Sequence, residues 1–402
     1  MVETTPLESE LAAVKPKGLS KSFASVADLR AFIVGCASQG LVVVPGRQCA
    51  LPGQSLLRPD FFVQASELSG LLEHSLSDQV ISLEAGITIG VLAKVLAEHK
   101  QWFPVPEAYG DLSLMEVIDR SLAGSLEHRF GGLRELVLGL DVLLSSGELI
   151  KCGGKVVKNV SGYDLTKLFT GARGSLGMVL AAHLRLFALP EESRTVCFSF
   201  QDLTSAQSAA LKLLAAGLPL SCLEIADCRL VADGAQESMA YVCVQTHGAH
   251  QLLRELDTAI TGIMNEPGMS LRGSDELALW RRLNEPALPD EPILVVQGST
   301  NFLVKLAQRY QSLARLPLWT IRPGANKLIL RLSASDSAAW FVDKARALCT
   351  ADGALAQIAG GDNEMLWRVW HLPAAAEGSR EIIARLKNQF DAAGVFNPLV
   401  SF

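Results

Sequence analysis

The chain has 402 residues, beyond the size at which one core usually stops growing, so at least two domains of ~100 to 200 residues are expected. Hydrophobic residues at 49% with charged residues at 19% exclude a disordered scaffold, and a net charge of −6 excludes the broad basic field of a nucleic-acid or anionic-lipid binder. None of the eight cysteines falls in a C-x-x-C pair, so an iron–sulfur cluster or structural zinc held by this chain alone is not expected; buried thiols in a reducing cytoplasm are. The apolar run MVLAAHLRLFALP is broken by His183 and Arg185 well short of the ~20 residues that span a bilayer. The N-terminal MVETTPLESELAAVKPKG has no apolar core, so no secretory signal is read.

In chain order, Ser25 and Asp28 make an N-terminal box for a helix whose Leu29, Phe32, Ile33 and Cys36 share one face, and Gly40 stops it. LVVVPG reads as a buried strand ending at a Pro-Gly turn. QVISLEAG is a second strand, after which Thr88 caps a helix faced by Leu92, Val95, Leu96 and His99. LVLGLDVLLSSGELIKC, residues 136–152, is a hairpin signal, and MVLAAHLRLF is a further strand. ALPEE near residue 190 marks a boundary. Beyond it the texture becomes that of a second α+β unit with mainly antiparallel sheet: TVCFSF, a helix over 204–216, strands around Cys222 and Val242, and a helix after Gly248. PILVVQG, a helix over 302–313, KLILRL and a helix over 337–349 follow, and SREIIARLKNQFDAAG is an amphipathic helix near the end.

Between the hairpin and the strand MVLAAHLRLF lies GGKVVKNVSGYDLTKLFTGARGSLG, with six glycines in residues 153–177 and Lys155, Lys158, Lys167 and Arg173 among them. It is neither a G-x-G-x-x-G dinucleotide turn nor a G-x-x-x-x-G-K-[ST] loop. Gly162 suits a positive φ, Asp164 suits the cap of the short helix DLTKLF, and Gly171 suits its end. GARGSLG exposes a run of backbone N–H groups that could approach a flat ring or a pyrophosphate; a tight packing crossover is the equal alternative.

The order KNVSGYDLTKLFTGARGSLGMV resembles a segment of FAD-linked oxidases of the vanillyl-alcohol oxidase/PCMH type. Within them it is most similar to the FAD-binding accessory subunit of glycolate oxidase (GlcE-like). ISLEAGITIGVLAKVLAEHKQWFPVPE, HRFGGLRELVLGLDVLLSSGELIKCGG and the late LKNQFDAAGVFNP also resemble that family. The resemblance implies an α+β fold: a PCMH-type FAD-binding domain over residues 1–190, in subdomains of about 1–75 and 76–190, with an inserted α/β cap domain over 195–350. A C-terminal segment, 351–402, then returns to the FAD domain. It further implies FAD held between FAD domain and cap, oxidation of a small 2-hydroxy acid (glycolate or D-lactate), and partners comprising a catalytic FAD subunit and an iron–sulfur subunit in the cytoplasm, with membrane association only through those partners.

Carried onto this sequence, the resemblance nominates Gly46, Arg47, Gly124, Gly174, Gly177, Met178 and Asn397 for cofactor binding. Two phosphate loops depart from the family pattern. PGRQCALPGQS brings Gln48, Cys49 and Leu51 to places of small residues, and Glu116 and Val117 stand where a glycine pair is usual, with Asp119 adding charge. Two readings therefore stand: an FAD-binding subunit, or a flavin-less subunit that keeps the fold and docks a catalytic partner. A self-sufficient 2-hydroxy-acid dehydrogenase is disfavoured, because the family's catalytic members carry a cap-domain histidine cluster with no equivalent here. His247 and His250 in QTHGAH read as surface histidines at a strand end, and His371 as a packing or partner residue that could instead donate to a substrate carboxylate. Arg281 and Arg282 read as a solvated or ion-paired helix face, and Trp367 with Trp370 as a buried stripe.

Overall fold

A computed structural model describes residues 19–46, 59–154, 164–231, 240–286, 293–311, 317–331, 355–359 and 377–396. The chain first builds a small parallel sheet in which Phe61–Gln64 lies between Leu19–Ser22 and Val43–Pro45. Helix Val26–Gln39 covers it. The Ser25 side chain accepts from the Asp28 N–H, Leu29, Phe32, Ile33 and Cys36 are the buried face, and Gly40 ends the helix at φ 65°. Phe32 meets Phe61 edge-on at 4.9 Å, which locks helix to sheet.

Five antiparallel strands follow, in the order Leu71–Ser75, Val80–Glu84, Met178–Arg185, Val137–Leu143, Leu149–Gly153. The 137–153 hairpin is as the sequence suggests. Helix Ile89–Ala97 is capped by the Thr88 hydroxyl and buries Ile89, Leu92 and Leu96. It stops before His99, which is exposed and instead meets the His74 ring edge-on at 5.0 Å. Asp164 precedes helix Leu165–Phe169 without a side-chain capping bond, so the cap expected there is not made. One core joins both small-sheet and five-stranded units.

The third layer is an eight-stranded, wholly antiparallel sheet. Its period-2 alternation separates two faces. Leu223, Ile225, Val242 and Val244 pack under helices Leu203–Ala215, His250–Met264 and Thr300–Gln311. On the other face Cys197, Cys222 and Cys243 pack with Trp280 and with Leu126 of the first unit. The expected helix over 337–349 lies outside the described residues.

Helix Glu377–Phe390 brings the chain back to the first unit. Phe390 meets Phe169 at 5.3 Å, and Val43 donates its N–H to Val395 at 2.7 Å. Lys387 Nζ donates to Ser175 O, Phe396 O and the fully buried Asp391 carboxylate, whose oxygens in turn accept from the Val395 and Phe396 N–H groups. Replacing the lysine leaves that carboxylate buried without its cation. We expect Lys387→Met to cost about 3 kcal/mol, read as a lowered urea midpoint.

Candidate functional site

Three segments converge where the small-sheet strand Val43–Pro45 ends. Gly46, at φ 114°, follows Pro45, and an added Cβ there would meet only Glu116, 3.7 Å from Cγ. Pro45 lies on Gly174, where a Cβ would come within 2.7 Å of the proline ring, so Gly46 and Arg173 are drawn together. Helix Leu114–Asp119 accepts from the same loop: Gly171 N–H to Ile118 O at 3.0 Å and Arg173 N–H to Asp119 O at 2.8 Å. Arg173 and Ser121 both hold left-handed φ values, 54° and 52°, a cost that non-glycine residues bear mainly where position matters.

The charges at this convergence explain how two carboxyls coexist with an anion seat. Glu116 accepts from the Ser113 N–H and hydroxyl in a capping box. Desolvation, and then the nearby Glu116, push the buried Asp119 carboxyl well above the usual carboxylate range, so it favours its neutral form. Burial, and then the like charge of Arg120, bring the Arg173 guanidinium down to about 10, still cationic at neutral pH. Arg173, which feels the like charge of Arg120, thus lies in a glycine loop that packs on Pro45 next to the positive-φ Gly46, and a cationic set of this kind fits a phosphate-bearing cofactor.

A second region lies at the seam between the first unit and the eight-stranded sheet. Ser125 donates its N–H to Asn284 Oδ1 at 2.8 Å and hydrogen-bonds Glu224, which also meets Arg322 Nε at 2.8 Å. Lys327 pairs with Glu127 at 2.5 Å, and Arg129 donates to Pro219 O at 3.1 Å. Beside this weld is a cavity of about 270 Å³. Its walls are Trp102, Phe103 and Leu126 on one side, and Cys222, Gln245, His247 and Trp280 on the other. Phe187, Phe130, Trp102 and His247 form an edge-on ladder towards it, at 4.9, 5.4 and 5.3 Å.

His247 corrects the sequence reading of a surface histidine. It follows Cys243 and Gln245 at period 2 on the sheet face that meets the first unit, and burial with the charge of Arg129 pulls its pKa down to about 4. His250 is exposed as expected, bonded to Glu192 at 3.0 Å. Of the other nominated residues, Gly124 packs against Pro106 and Asn284, Gly177 against Val142 and Leu143, and Met178 is fully buried in its strand, so all three face protein. Gly46 and Gly174 belong to the anion seat. Arg47, Asn397, His371, Trp367 and Trp370 lie outside the described residues. Arg281 pairs with Glu107 at 3.5 Å, and Arg282 donates to Val231 O. Sequence reasoning missed Arg120, Trp102, Glu224 and Arg322 as site residues; the alternation of polar residues at 243, 245 and 247 was the available signal, and alternation is ordinarily read as a solvated face.

Comparison with known proteins supplies the name of the first unit. Residues 22–153 match the family model described as FAD binding domain. This stretch is similar to an FAD binding domain. A probable mitochondrial D-lactate dehydrogenase of Danio rerio is 31% identical over 199 residues, 47% of this chain and 40% of that protein. Glycolate oxidase subunit GlcD of Bacillus subtilis is 31% identical over 141 residues, 35% of this chain and 30% of that protein. The chain thus spans less than half the length of these curated relatives. Among solved structures, an alkyldihydroxyacetonephosphate synthase matches with a TM-score of 0.68 over 93% of this chain and 74% of its own, at 11% identity, which shows the fold alone. The architecture is therefore α+β, with a PCMH-type FAD-binding domain, and the domain match together with the FAD-linked relatives supports FAD as its cofactor.

The half-buried His247 has a pH signature. Its folded pKa lies below the ordinary 6.5, so its contribution to stability is full above that value and is lost as pH falls towards about 4. At ~1.4 kcal/mol per unit, the loss is roughly 3 kcal/mol. In urea titrations between pH 7 and 4, His247→Phe should lack that share of the acid destabilisation.

Proposed function

We propose that the chain is the FAD-binding subunit of a glycolate oxidase or dehydrogenase-type assembly in the cytoplasm, oxidising a small 2-hydroxy acid and passing electrons to an iron–sulfur partner. The observation that carries this reading is the packing of Pro45 on Gly174, which sets the Gly46 turn beside the loop of Arg173 and helix Leu114–Asp119, within and next to the stretch that matches the FAD binding domain. Bound FAD supplies the two-electron acceptor for a 2-hydroxy acid. The chain's own residues do the holding: the Gly46 backbone and the guanidinium groups of Arg120 and Arg173 receive phosphate charge, and burial raises the Asp119 carboxyl's pKa, which weakens its repulsion. The names of the relatives, D-lactate dehydrogenase and glycolate oxidase subunit, support the substrate class. The partner rests on the cysteine pattern, in which no C-x-x-C pair is present to hold a cluster on this chain.

Glu116 is the observation that favours the alternative, a flavin-less subunit keeping the fold and docking the catalytic subunit, because its acidic side chain stands beside Gly46. The absorption spectrum of the purified chain separates them: flavin bands near one per chain are expected after reconstitution with FAD, and their complete absence would overturn the first reading. Glu116→Gln removes the competing charge while keeping an acceptor for Ser113. It should tighten FAD at least fivefold in a flavin-fluorescence quenching titration, whereas Arg173→Met should weaken it at least tenfold.

A further inference from the structure

The anion seat has two walls that are far apart in sequence, and one short segment late in the chain is bonded to both. The first wall is strand Val43–Pro45, which delivers Gly46. Val43 donates its N–H to Val395 O at 2.7 Å and bridges in parallel to Phe396. The second wall is the loop of residues 171–175, which delivers Arg173. Its Ser175 carbonyl accepts from Lys387 Nζ at 2.5 Å, and the Ser175 hydroxyl closes the loop on Ala172 O at 2.6 Å. These two anchors are not independent. Lys387 Nζ also reaches the Asp391 carboxylate at 2.5 Å and Phe396 O at 2.7 Å, and the same carboxylate accepts from the Val395 and Phe396 N–H groups, each at 2.9 Å. Asp391, Val395 and Phe396 are buried, so a bond released here finds no water to replace it. One ion pair therefore ties the carbonyl of one wall to the backbone on which the other wall rests.

The walls also touch directly, where the Pro45 ring packs on Gly174. A ring against a glycine sets how closely they can approach but does little to keep them from parting. The bonds of Lys387 supply the opposite limit. Donors aimed at an anion must be held to within about 0.5 Å of their productive places, so the limit on parting matters as much as the contact. We infer that Lys387 and Asp391 are positioning residues for the anion seat: the pair fixes the separation of the Gly46 turn and the Arg173 loop through backbone bonds. The inference rests on the proposed function for the identity of the anion as the phosphates of FAD, and on the hydrogen bonds alone for the coupling of the two walls.

Binding titrations and hydrogen exchange on the full chain test it, with FAD and inorganic pyrophosphate as probes. Ile81→Ala is the control, because Ile81 is wholly buried in the five-stranded sheet and shares the core with the clamp without belonging to it; it lowers the urea midpoint by removing buried methylenes. Under conditions where every variant is folded, we expect Lys387→Met to weaken FAD and pyrophosphate at least tenfold each, and Ile81→Ala to change neither by more than twofold. Without either probe, the Gly46, Gly171 and Arg173 amides, bonded to Val63 O, Ile118 O and Asp119 O, should exchange at least tenfold faster in Lys387→Met, while amides of the eight-stranded sheet keep their rates. Asp391→Asn keeps the size of the side chain and an acceptor for one N–H; it should show the same pattern at lower amplitude, and it carries the test should Lys387→Met not fold. Unchanged exchange at those three amides, or an equal loss of affinity in Ile81→Ala, would leave the pair a role in stability alone and overturn the inference. The two proposals fail separately: FAD bound equally by wild type and Lys387→Met sinks this inference alone, and wild type that binds pyrophosphate but not FAD sinks the flavin reading alone.

Discussion

The arrangement of the molecule depends on one buried ion pair. Glu224, wholly inaccessible, and Arg322, nearly so, meet at 2.8 Å on adjacent strands of the eight-stranded sheet. Arg322 also donates to Asn284 Oδ1 at 3.1 Å, and the Ser125 hydroxyl reaches both Glu224 and Asn284. Two desolvated charges seldom gain net stability over an apolar pair. Glu224 Oε2 has no hydrogen-bond partner among the described residues, so the compensation they give is incomplete. What such a pair does supply is orientation: only one approach of the FAD domain presents the Ser125 hydroxyl and N–H to it. The register of the seam, and with it the shape of the cavity beside the seam, follows from that requirement.

This weld also explains why several glycines that resemble cofactor-binding residues face protein. Gly124 lies one residue before Ser125, and its missing Cβ lets Pro106 and Asn284 close in. Gly177 performs the same service for Val142 and Leu143 within the five-stranded sheet. A glycine signature reports close approach by a backbone, but a ligand and a neighbouring chain segment demand the same absence of a side chain. Gly46 differs in that, among the described residues, a Cβ there would meet only the Glu116 side chain, at 3.7 Å.

The fold was legible in the sequence wherever one face of an element is apolar. Helix Val26–Gln39 could be read to the residue, cap and stop included, since Ser25, the buried quartet and Gly40 obey local rules. The hairpin of residues 137–153 was equally plain. The helix end before His99 and the missing Asp164 cap were not, because both depend on neighbours distant in sequence. The site was less legible for a related reason. Cys243, Gln245 and His247 alternate with Val242, Val244 and Thr246, a pattern that in isolation means one wet face and one dry. Here the polar face meets another domain, and nothing local records that.

The same reasoning links the two charged regions. In each, a carboxyl is buried, yet the outcomes differ because the surroundings differ. Glu224 has Arg322 in direct contact and stays the partner of a cation. Asp119 is raised well above the usual carboxylate range, first by burial and then by the charge of Glu116. The first therefore spends its charge on fixing the seam, whereas the second holds its proton more tightly than an exposed carboxyl does. An anion seat built in this way does not depend on removing acidic residues from the chain. It depends on burying one deeply enough that its proton stays on, which places the charge balance of the FAD domain under the control of packing around helix Leu114–Asp119.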